Sequence, residues 1–168
     1  MESLLSRDTR TLSVYVSNKP GVLARIAQVF ARRGYNIDSL VVSSSVDGEF
    51  SRMTITTKGN PGGLEQIIKQ VNKLIDVLHC VDHTGENAVV QELALIKVAA
   101  GSEDRSEALQ VAEHFKCKTL DLTESSMILM ATGGTEKIDA LVRMVHKYNI
   151  IELVRTGKVV MARGNQVT

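Results

Sequence analysis

The chain has 168 residues, which is enough for one medium domain or two small ones, since domains commonly hold about 100–150 residues. Apolar residues make up 43% and charged residues 23%, a composition that excludes a disordered or fibrous chain. The formal net charge is +1, so charge gives no case for a nucleic acid or an anionic membrane as partner.

The start of the chain lacks a basic segment followed by a long apolar stretch, so we predict no signal peptide. No apolar run approaches the roughly 18–20 residues that span a bilayer. The two cysteines, Cys80 and Cys117, belong to no CxxC pair, which is typical of thiols in a reducing compartment. We therefore expect a cytoplasmic protein.

The first half of the chain alternates between strand and helix patterns. Polar and apolar residues alternate from 11 to 17, which predicts a strand with one buried face. A turn at 18–21 ends this strand, and apolar residues at helical spacing follow from 22 to 30. We expect Pro20 in the first helical turn and Gly34 just beyond the last. The next elements are a strand at 37–46, a turn at 46–49, a strand at 50–57, a loop at 59–63, a helix at 64–74 and a strand at 75–81.

The second half repeats this order. Its helix at 103–115 is expected to turn Leu109, Ala112 and Phe115 inward, and its second helix follows Gly133-Gly134-Thr135. Its strands are predicted at 90–99, 118–122, 127–131, 150–155 and 158–163, the last two as an additional hairpin.

Two β-α-β-β-α-β halves predict an α+β protein made of two ferredoxin-like domains. A polar, unpatterned stretch at 84–88 separates the halves. The predicted organisation is an N-terminal extension at 1–9, a first domain at 10–84, a second domain at 85–164 and a tail at 165–168.

No catalytic constellation emerges from the residue pattern. The segment His79–His83 is the densest group of possible metal ligands, but a strand turns alternate side chains to opposite faces, so we predict no metal site. Gly133-Gly134-Thr135 joins a strand to a helix but lacks the spacing of a phosphate-binding loop, and we read it as a tight turn.

The loop Asn18-Lys19-Pro20-Gly21-Val22-Leu23 carries the strongest chemical signal. It leads into a helix, and a helix N-terminus offers free N–H groups and a partial positive charge to a carboxylate. Gly21 allows close approach to the backbone, and the amide of Asn18 supplies a donor and an acceptor. Such groups suit an amino-acid zwitterion, although an ordinary helix cap would have the same sequence.

Two motifs extend this observation to a known family. The run Arg33-Gly34-Tyr35-Asn36-Ile37, followed by Ser51-Arg52-Met53-Thr54, resembles the small regulatory subunits of acetolactate synthase (acetohydroxyacid synthase), which open with an ACT domain. Together with the loop at 18–23 and segments at 64–77, 92–98 and 152–157, the resemblance covers about residues 10–164.

The resemblance implies a subunit without catalytic activity of its own. Such a subunit binds the large catalytic subunit, activates it, and makes it sensitive to feedback inhibition by valine or another branched-chain amino acid. Thiamine diphosphate, magnesium and FAD would belong to the large subunit, with no cofactor in this chain. The ACT domains would form a homodimer with one continuous sheet and effector sites at the interface.

The resemblance also implies which residues bind the effector. In this chain they are Asn18, Pro20, Gly21, Val22 and Leu23, joined by Asn36 and Ile37 of the neighbouring chain. The N–H groups of the loop would hold the effector's carboxylate, with Pro20 shaping the loop, and Val22, Leu23 and Ile37 would line the pocket for an aliphatic side chain.

Three other interpretations stay open at this point. One is an ACT-type amino-acid sensor for a different partner enzyme. Another is an enzyme built on two ferredoxin-like domains, for which Arg25 and Lys19 would be the anion-binding candidates near the loop. The third is a nucleic-acid-binding domain, which is disfavoured because the central strands lack interleaved aromatic residues.

Overall fold

A computed structural model describes residues 9–85 and 87–168. The chain divides into two compact units, one holding the residues up to Val89 together with Lys158–Thr168, and the other holding Val90–Gly157. Most of the predicted N-terminal extension at 1–9 lies outside the described residues. The predicted domain boundaries stay a sequence-based prediction, although the structure groups 158–164 with the first unit.

The first unit contains a four-stranded antiparallel sheet with two helices. Its strands lie in the order β2-β3-β1-β4. The elements are β1 (Thr9–Ser17), α1 (Val22–Arg32), β2 (Ile37–Ser44), β3 (Phe50–Lys58), α2 (Pro61–Val71) and β4 (Val77–Asp82).

The second unit repeats this topology, with strand order β6-β7-β5-β8. Both halves therefore follow a βαββαβ path, and the predicted α+β fold is confirmed. The elements of this half are β5 (Ala88–Ala99), α3 (Arg105–His114), β6 (Lys118–Leu122), β7 (Ser126–Gly133), α4 (Thr135–Val145), a short 3₁₀ helix (His146–Tyr148) and β8 (Ile150–Arg155). The last strand, β9 (Val159–Ala162), follows in the segment that is grouped with the first unit.

Each unit has its own hydrophobic core between helices and sheet. In the first unit, β1 contributes every second residue from Leu12 to Val16 to the core, and α1 buries residues spaced four apart. In the second unit, Ala112 is buried as predicted, whereas Leu109 and Phe115 are half-buried at the edge of the core. The first core includes Leu12, Val14, Val16, Val22, Ile26, Phe30, Met53, Ile55, Leu64, Ile67 and Val71. The second includes Ala94, Ile96, Val98, Ala108, Ala112, Met127, Leu129, Ile138, Leu141 and Val145.

Helix α1 ends where the sequence predicted. The N–H of Gly34 donates to the carbonyl of Ala31, and the N–H of Tyr35 donates to that of Phe30, each at 3.0 Å. With Gly34 at φ +72°, this pair of bonds is the Schellman arrangement that satisfies the last carbonyls of a helix.

The predicted place of Pro20 in the first turn of α1 is wrong. The helix begins at Val22, and Gly21 precedes it in a left-handed conformation that a helix cannot contain. The preference of proline for the first helical turn is met instead by Pro61, which begins α2 three residues before the predicted start of that helix. There the side chain of Asn60 caps the helix by accepting from the N–H of Gly63 at 2.7 Å.

The predicted hairpin of the last two strands is also wrong. Among the described residues, β8 and β9 both pair with β5 instead of with each other. Twelve residues long, β5 is long enough to accept more than one partner strand along its length.

Candidate functional site

The loop between β1 and α1 is held in one conformation by hydrogen bonds to the β2–β3 turn. The N–H of Asn18 donates to the carbonyl of Glu49 at 2.8 Å, and its side-chain Nδ2 donates to the carbonyl of Gly48 at 3.0 Å. Neither bond uses the side-chain Oδ1 of Asn18, which is therefore available to accept a hydrogen bond. The loop is thus a pre-formed surface feature whose exposed amide presents an oxygen.

Gly21 shapes the start of helix α1. Its φ of +84° is a conformation that residues with a Cβ atom rarely adopt. A Cβ atom built on Gly21 would lie 3.3 Å from Nη1 of Arg25, so the guanidinium lies directly over this glycine. The structure thus gives two reasons for glycine at this position, its backbone conformation and the close approach of Arg25, whereas the predicted approach of a ligand stays a prediction.

Free N–H groups lie at the start of the helix. Within the described part of the chain, the N–H groups of Gly21 and Leu23 meet no acceptor, and that of Val22 has only a long contact of 3.5 Å to the carbonyl of Lys19. Unpaired N–H groups at a helix N-terminus favour an anion. The arrangement can therefore accept a carboxylate group.

Two cations and one carboxylate surround these N–H groups. Arg25 forms an ion pair with Asp76, and Nζ of Lys19 lies 3.9 Å from the same carboxylate. In this group of three side chains, two positive charges face one negative charge. The sequence analysis did not single out Asp76, although the βαββαβ order places the start of β4 beside the end of β1, where the carbonyl of Asp76 accepts from the N–H of Ser17 at 2.8 Å.

The side chains of the predicted loop residues have different surroundings. Val22 is 2% exposed and belongs to the core, so only its N–H faces the loop. Leu23 is 40% exposed and offers an apolar surface beside the free N–H groups. Pro20 is exposed just before the helix.

Asn36 and Ile37 lie at the start of β2. Asn36 is exposed, and its side chain donates to Asp38 at 3.1 Å. Thr57 fixes the backbone here by donating its hydroxyl to the carbonyl of Asn36 at 2.6 Å. Ile37 is half-buried against the first core.

The register of the sheet places these two parts of the predicted site far apart within one chain. Ser17 pairs with Phe50, whereas Ile37 pairs with Thr57, seven positions farther along β3. At about 3.4 Å per residue this is roughly 24 Å. The loop at 18–21 and the start of β2 therefore lie at opposite ends of the sheet.

The other candidate sites of the sequence analysis have local structural roles. Cys80 faces the first core and Asp82 forms an ion pair with Arg10 at 3.3 Å. Across residues 9–85 and 87–168, no three His, Cys, Asp or Glu residues are grouped as metal ligands. At Gly133-Gly134-Thr135, the start of α4 already meets the chain's own carboxylate, because the hydroxyl of Thr135 donates to Glu92.

Burial and charge shift the pKa values of the two thiols. Burial, reinforced by the nearby Asp82 carboxylate, raises the pKa of Cys80 to about 12. Burial also raises the pKa of Cys117, partly offset by Lys137. Neither thiol is activated as a nucleophile.

Within the described residues, no helix is long and apolar enough to cross a membrane.

Each half of the chain matches a known protein family. Residues 12–79 match the family described as the AHAS small subunit-like ACT domain. Residues 91–164 match the family described as the small subunit of acetolactate synthase.

Named relatives extend the similarity over almost the whole chain. The acetolactate synthase small subunit of Mycolicibacterium smegmatis is 44% identical over 93% of this chain and 92% of the relative. That of Mycobacterium bovis is 43% identical over 95% of both. The crystal structure of the acetolactate synthase small subunit from Thermotoga maritima superimposes with a TM-score of 0.83 at 38% identity, covering 94% of this chain and 99% of that one.

Proposed function

Since the chain belongs to the family of acetolactate synthase small subunits, we propose that it activates the large catalytic subunit and confers feedback inhibition by a branched-chain amino acid, most simply valine. In this proposal the chain has no catalytic role. Thiamine diphosphate, magnesium and FAD are assigned to the large subunit.

The observation that carries the effector site is the set of free donors at the start of α1. A carboxylate would accept from the N–H groups of Gly21 and Leu23, beside the cations of Lys19 and Arg25. The ammonium group would donate to Oδ1 of Asn18. The exposed side chain of Leu23 would contact an aliphatic side chain. These groups match an aliphatic amino acid better than a phosphate, which lacks the ammonium and the apolar part.

The sheet register supports an effector site shared between two chains. Strand β2 is an edge strand, and it runs parallel to β1 because both are antiparallel to β3. If two β2 strands pair antiparallel around a two-fold axis, the start of one lies beside the end of the other. Asn36 and Ile37 of one chain would then reach the sheet end that carries Asn18–Gly21 of its partner. This supports a homodimer with a continuous sheet.

A shared site gives the effector a means to regulate. A ligand that bridges two chains stabilises one arrangement of the dimer, and it inhibits only if it binds the inhibited arrangement more tightly than the active one. Coupling free energies of this kind are typically about 1–3 kcal/mol.

The test is reconstitution with the large catalytic subunit, measuring acetolactate formation with and without valine. We expect activation by the wild-type chain and by Gly21→Asp, but loss of valine inhibition in Gly21→Asp, because a carboxylate beside the N–H groups repels that of the effector. Hydrogen bonds to charged groups contribute about 1.5–3 kcal/mol, so valine affinity should fall roughly tenfold or more.

Gly85→Asp is the matched control, because Gly85 also has positive φ, is exposed, and has no neighbour within 4 Å of an added Cβ atom. It should keep the valine response. Loss of both activation and valine response in Gly21→Asp alone would indicate unfolding. Valine binding without activation by the wild-type chain would favour an amino-acid sensor for a different partner.

Mixed dimers test whether one site needs two chains. A dimer of one Gly21→Asp chain and one Asn36→His chain, purified through two different tags, combines both defects in one site and leaves its other site intact. We expect one valine per mixed dimer and none in either parent dimer. If each site lay within one chain, every site of the mixed dimer would carry a defect and no valine would bind.

A further inference from the structure

The face of the first sheet that lies opposite the helices is lined by small hydroxyl residues that are nearly inaccessible. Ser13 is fully buried, and Thr11, Thr54 and Thr56 are each 5% exposed. These residues alternate with the core residues of β1 and β3, so they point away from the core. Their burial shows that this outer face is covered.

Thr168 is one residue that lies on this face. It is 7% exposed, and its main-chain oxygen accepts a hydrogen bond from Nη1 of Arg52. The same oxygen lies 3.3 Å from Nε2 of His79. Thr168 also stabilises its own segment, because its Oγ1 accepts from the N–H of Ala162 at 2.8 Å. We refer to Lys158–Thr168, which the structure groups with the first unit, as the strap.

Side chains from three adjacent strands hold the strap at this point. Tyr15 pairs with Arg52 of β3 on one side and with His79 of β4 on the other. The guanidinium carbon of Arg52 lies 4.9 Å from the centre of the Tyr15 ring, and Nη1 of Arg52 lies 3.4 Å from Oγ of Ser13. The Tyr15 ring lies 5.3 Å from that of Phe50 and 5.4 Å from that of His79. We call Ser13, Tyr15, Phe50, Arg52 and His79 the anchor cluster.

The anchor cluster is contiguous with the effector loop of the proposed function. Phe50 pairs with Ser17, the last residue of β1. The residue before Phe50 is Glu49, whose carbonyl accepts from the N–H of Asn18. Two residues, Glu49 and Phe50, therefore connect Asn18 to the rings that support Arg52.

We infer that the anchor cluster is a latch that holds the strap on the outer face of the first sheet, and that docking of the strap is coupled to effector binding at residues 18–23. This inference rests on the proposed function for its effector. Coupling requires that the effector binds the docked and released states with different affinity. The end of β1 and the paired start of β3 connect the loop at 18–23 to the anchor cluster. Effector binding and strap docking would therefore affect each other through these residues.

Arginine is suited to this position for a specific reason. Its planar guanidinium stacks on Tyr15 while it donates to the oxygen of Thr168, whereas lysine keeps the charge but lacks the plane and the fork of donors. Arg52→Lys should therefore weaken the latch and Arg52→Gln should release it. Lys58→Gln is the matched control, because Lys58 is an exposed cation on the same strand.

Hydrogen–deuterium exchange of the full chain, read by mass spectrometry, tests the latch. In Arg52→Gln we expect the amides of 158–168, that of Ala162 included, to exchange about tenfold faster or more, since local opening exposes them. Arg52→Lys should give an intermediate rate, and Lys58→Gln the wild-type rate. Circular dichroism of each variant reports whether the fold is kept. Wild-type exchange rates in a folded Arg52→Gln variant would overturn the latch.

Calorimetric titration of the same four proteins with valine tests the coupling. In the exchange experiment on the wild type, we expect added valine to change the exchange rate of the strap. In the titrations, we expect Arg52→Gln to shift the Kd for valine by about fivefold or more. Faster exchange of the strap with an unchanged Kd would overturn the coupling while leaving the proposed function intact. Failure of the wild type to bind valine would overturn the proposed function and the coupling, while the exchange rates would still decide whether Arg52 anchors the strap.

Discussion

Arg155 compensates a buried carboxylate in the second unit, and its replacement should destabilise that unit strongly. The side chain of Glu92 is 3% exposed. Arg155 donates to Oε2 of Glu92 through Nε at 3.1 Å and Nη2 at 2.7 Å, and to Asp139 through Nη1 at 2.6 Å. Burial lowers the pKa of Arg155, but the hydrogen bonds to Glu92 and Asp139 outweigh it and raise this pKa above its ordinary value. The guanidinium is therefore permanently charged.

The variant Arg155→Met would leave Glu92 with one hydrogen bond, from Thr135. Removing one partner of a buried ion pair typically costs about 3–5 kcal/mol, because the remaining charge is uncompensated. For a domain of this size, 1 kcal/mol corresponds to about 4–8 °C in Tm, so Tm should fall by about 12 °C or more. Urea denaturation followed by circular dichroism measures the free energy of unfolding.

A second variant separates charge from packing. In Glu92→Gln/Arg155→Met the buried charge is absent, so the double variant should be more stable than Arg155→Met alone. A deficit of Arg155→Met below about 1 kcal/mol, as for an exposed ion pair, would refute this account of the unit's stability.

Three further predictions concern Cys80 and Gly59 of the first unit. Cys80, whose burial raises its pKa from 9.0 to about 12, should resist iodoacetamide at pH 8, and mass spectrometry should find Cys117 alkylated first; equal rates would contradict the burial of Cys80. Folding favours the neutral thiol of Cys80, so the contribution of this thiol to stability is complete below pH 9.0 and is lost as the pH rises toward 12. Free energies of unfolding measured at alkaline pH should therefore fall more in the wild type than in Cys80→Ala. Gly59→Ala should lower the free energy of unfolding by about 1–3 kcal/mol, because the added Cβ atom would lie 2.1 Å from the ring of Tyr35, and Tyr35→Ala should remove most of that penalty.

The topology of both halves could be predicted because each element has a local signal. Alternation of polar and apolar residues marks β1, and helical spacing of Val22, Ile26 and Phe30 marks α1. The position of Pro20 was wrong because two local signals conflict. Proline favours a first helical turn, but the left-handed Gly21 delays the helix by two residues, and no rule of spacing decides between them.

Long-range pairing could not be predicted from local patterns. The partner of β9 is β5, some sixty residues away, while the sequence favours the adjacent β8. The same limit applies to the candidate site. The free N–H groups of the loop at 18–23 could be predicted from the sequence, whereas its role as an effector site stays a prediction. The ion pair of Arg25 with Asp76 and the separation of Asn36 from Asn18 depend on which strands lie side by side.

The second unit repeats the fold of the first but differs in charge at the position where the first unit has the proposed effector site. Its equivalent loop joins β5 to α3, where Glu103 and Asp104 precede the helix and present negative charge to any carboxylate. The nearby Arg105 is engaged, because its Nη2 donates to the carbonyls of Ala100 and Thr123. The first unit has the same chain path but places Lys19 and Arg25 beside free N–H groups. An amino acid should therefore bind to the first unit only, since the two units share a topology and differ in the charge at the start of one helix.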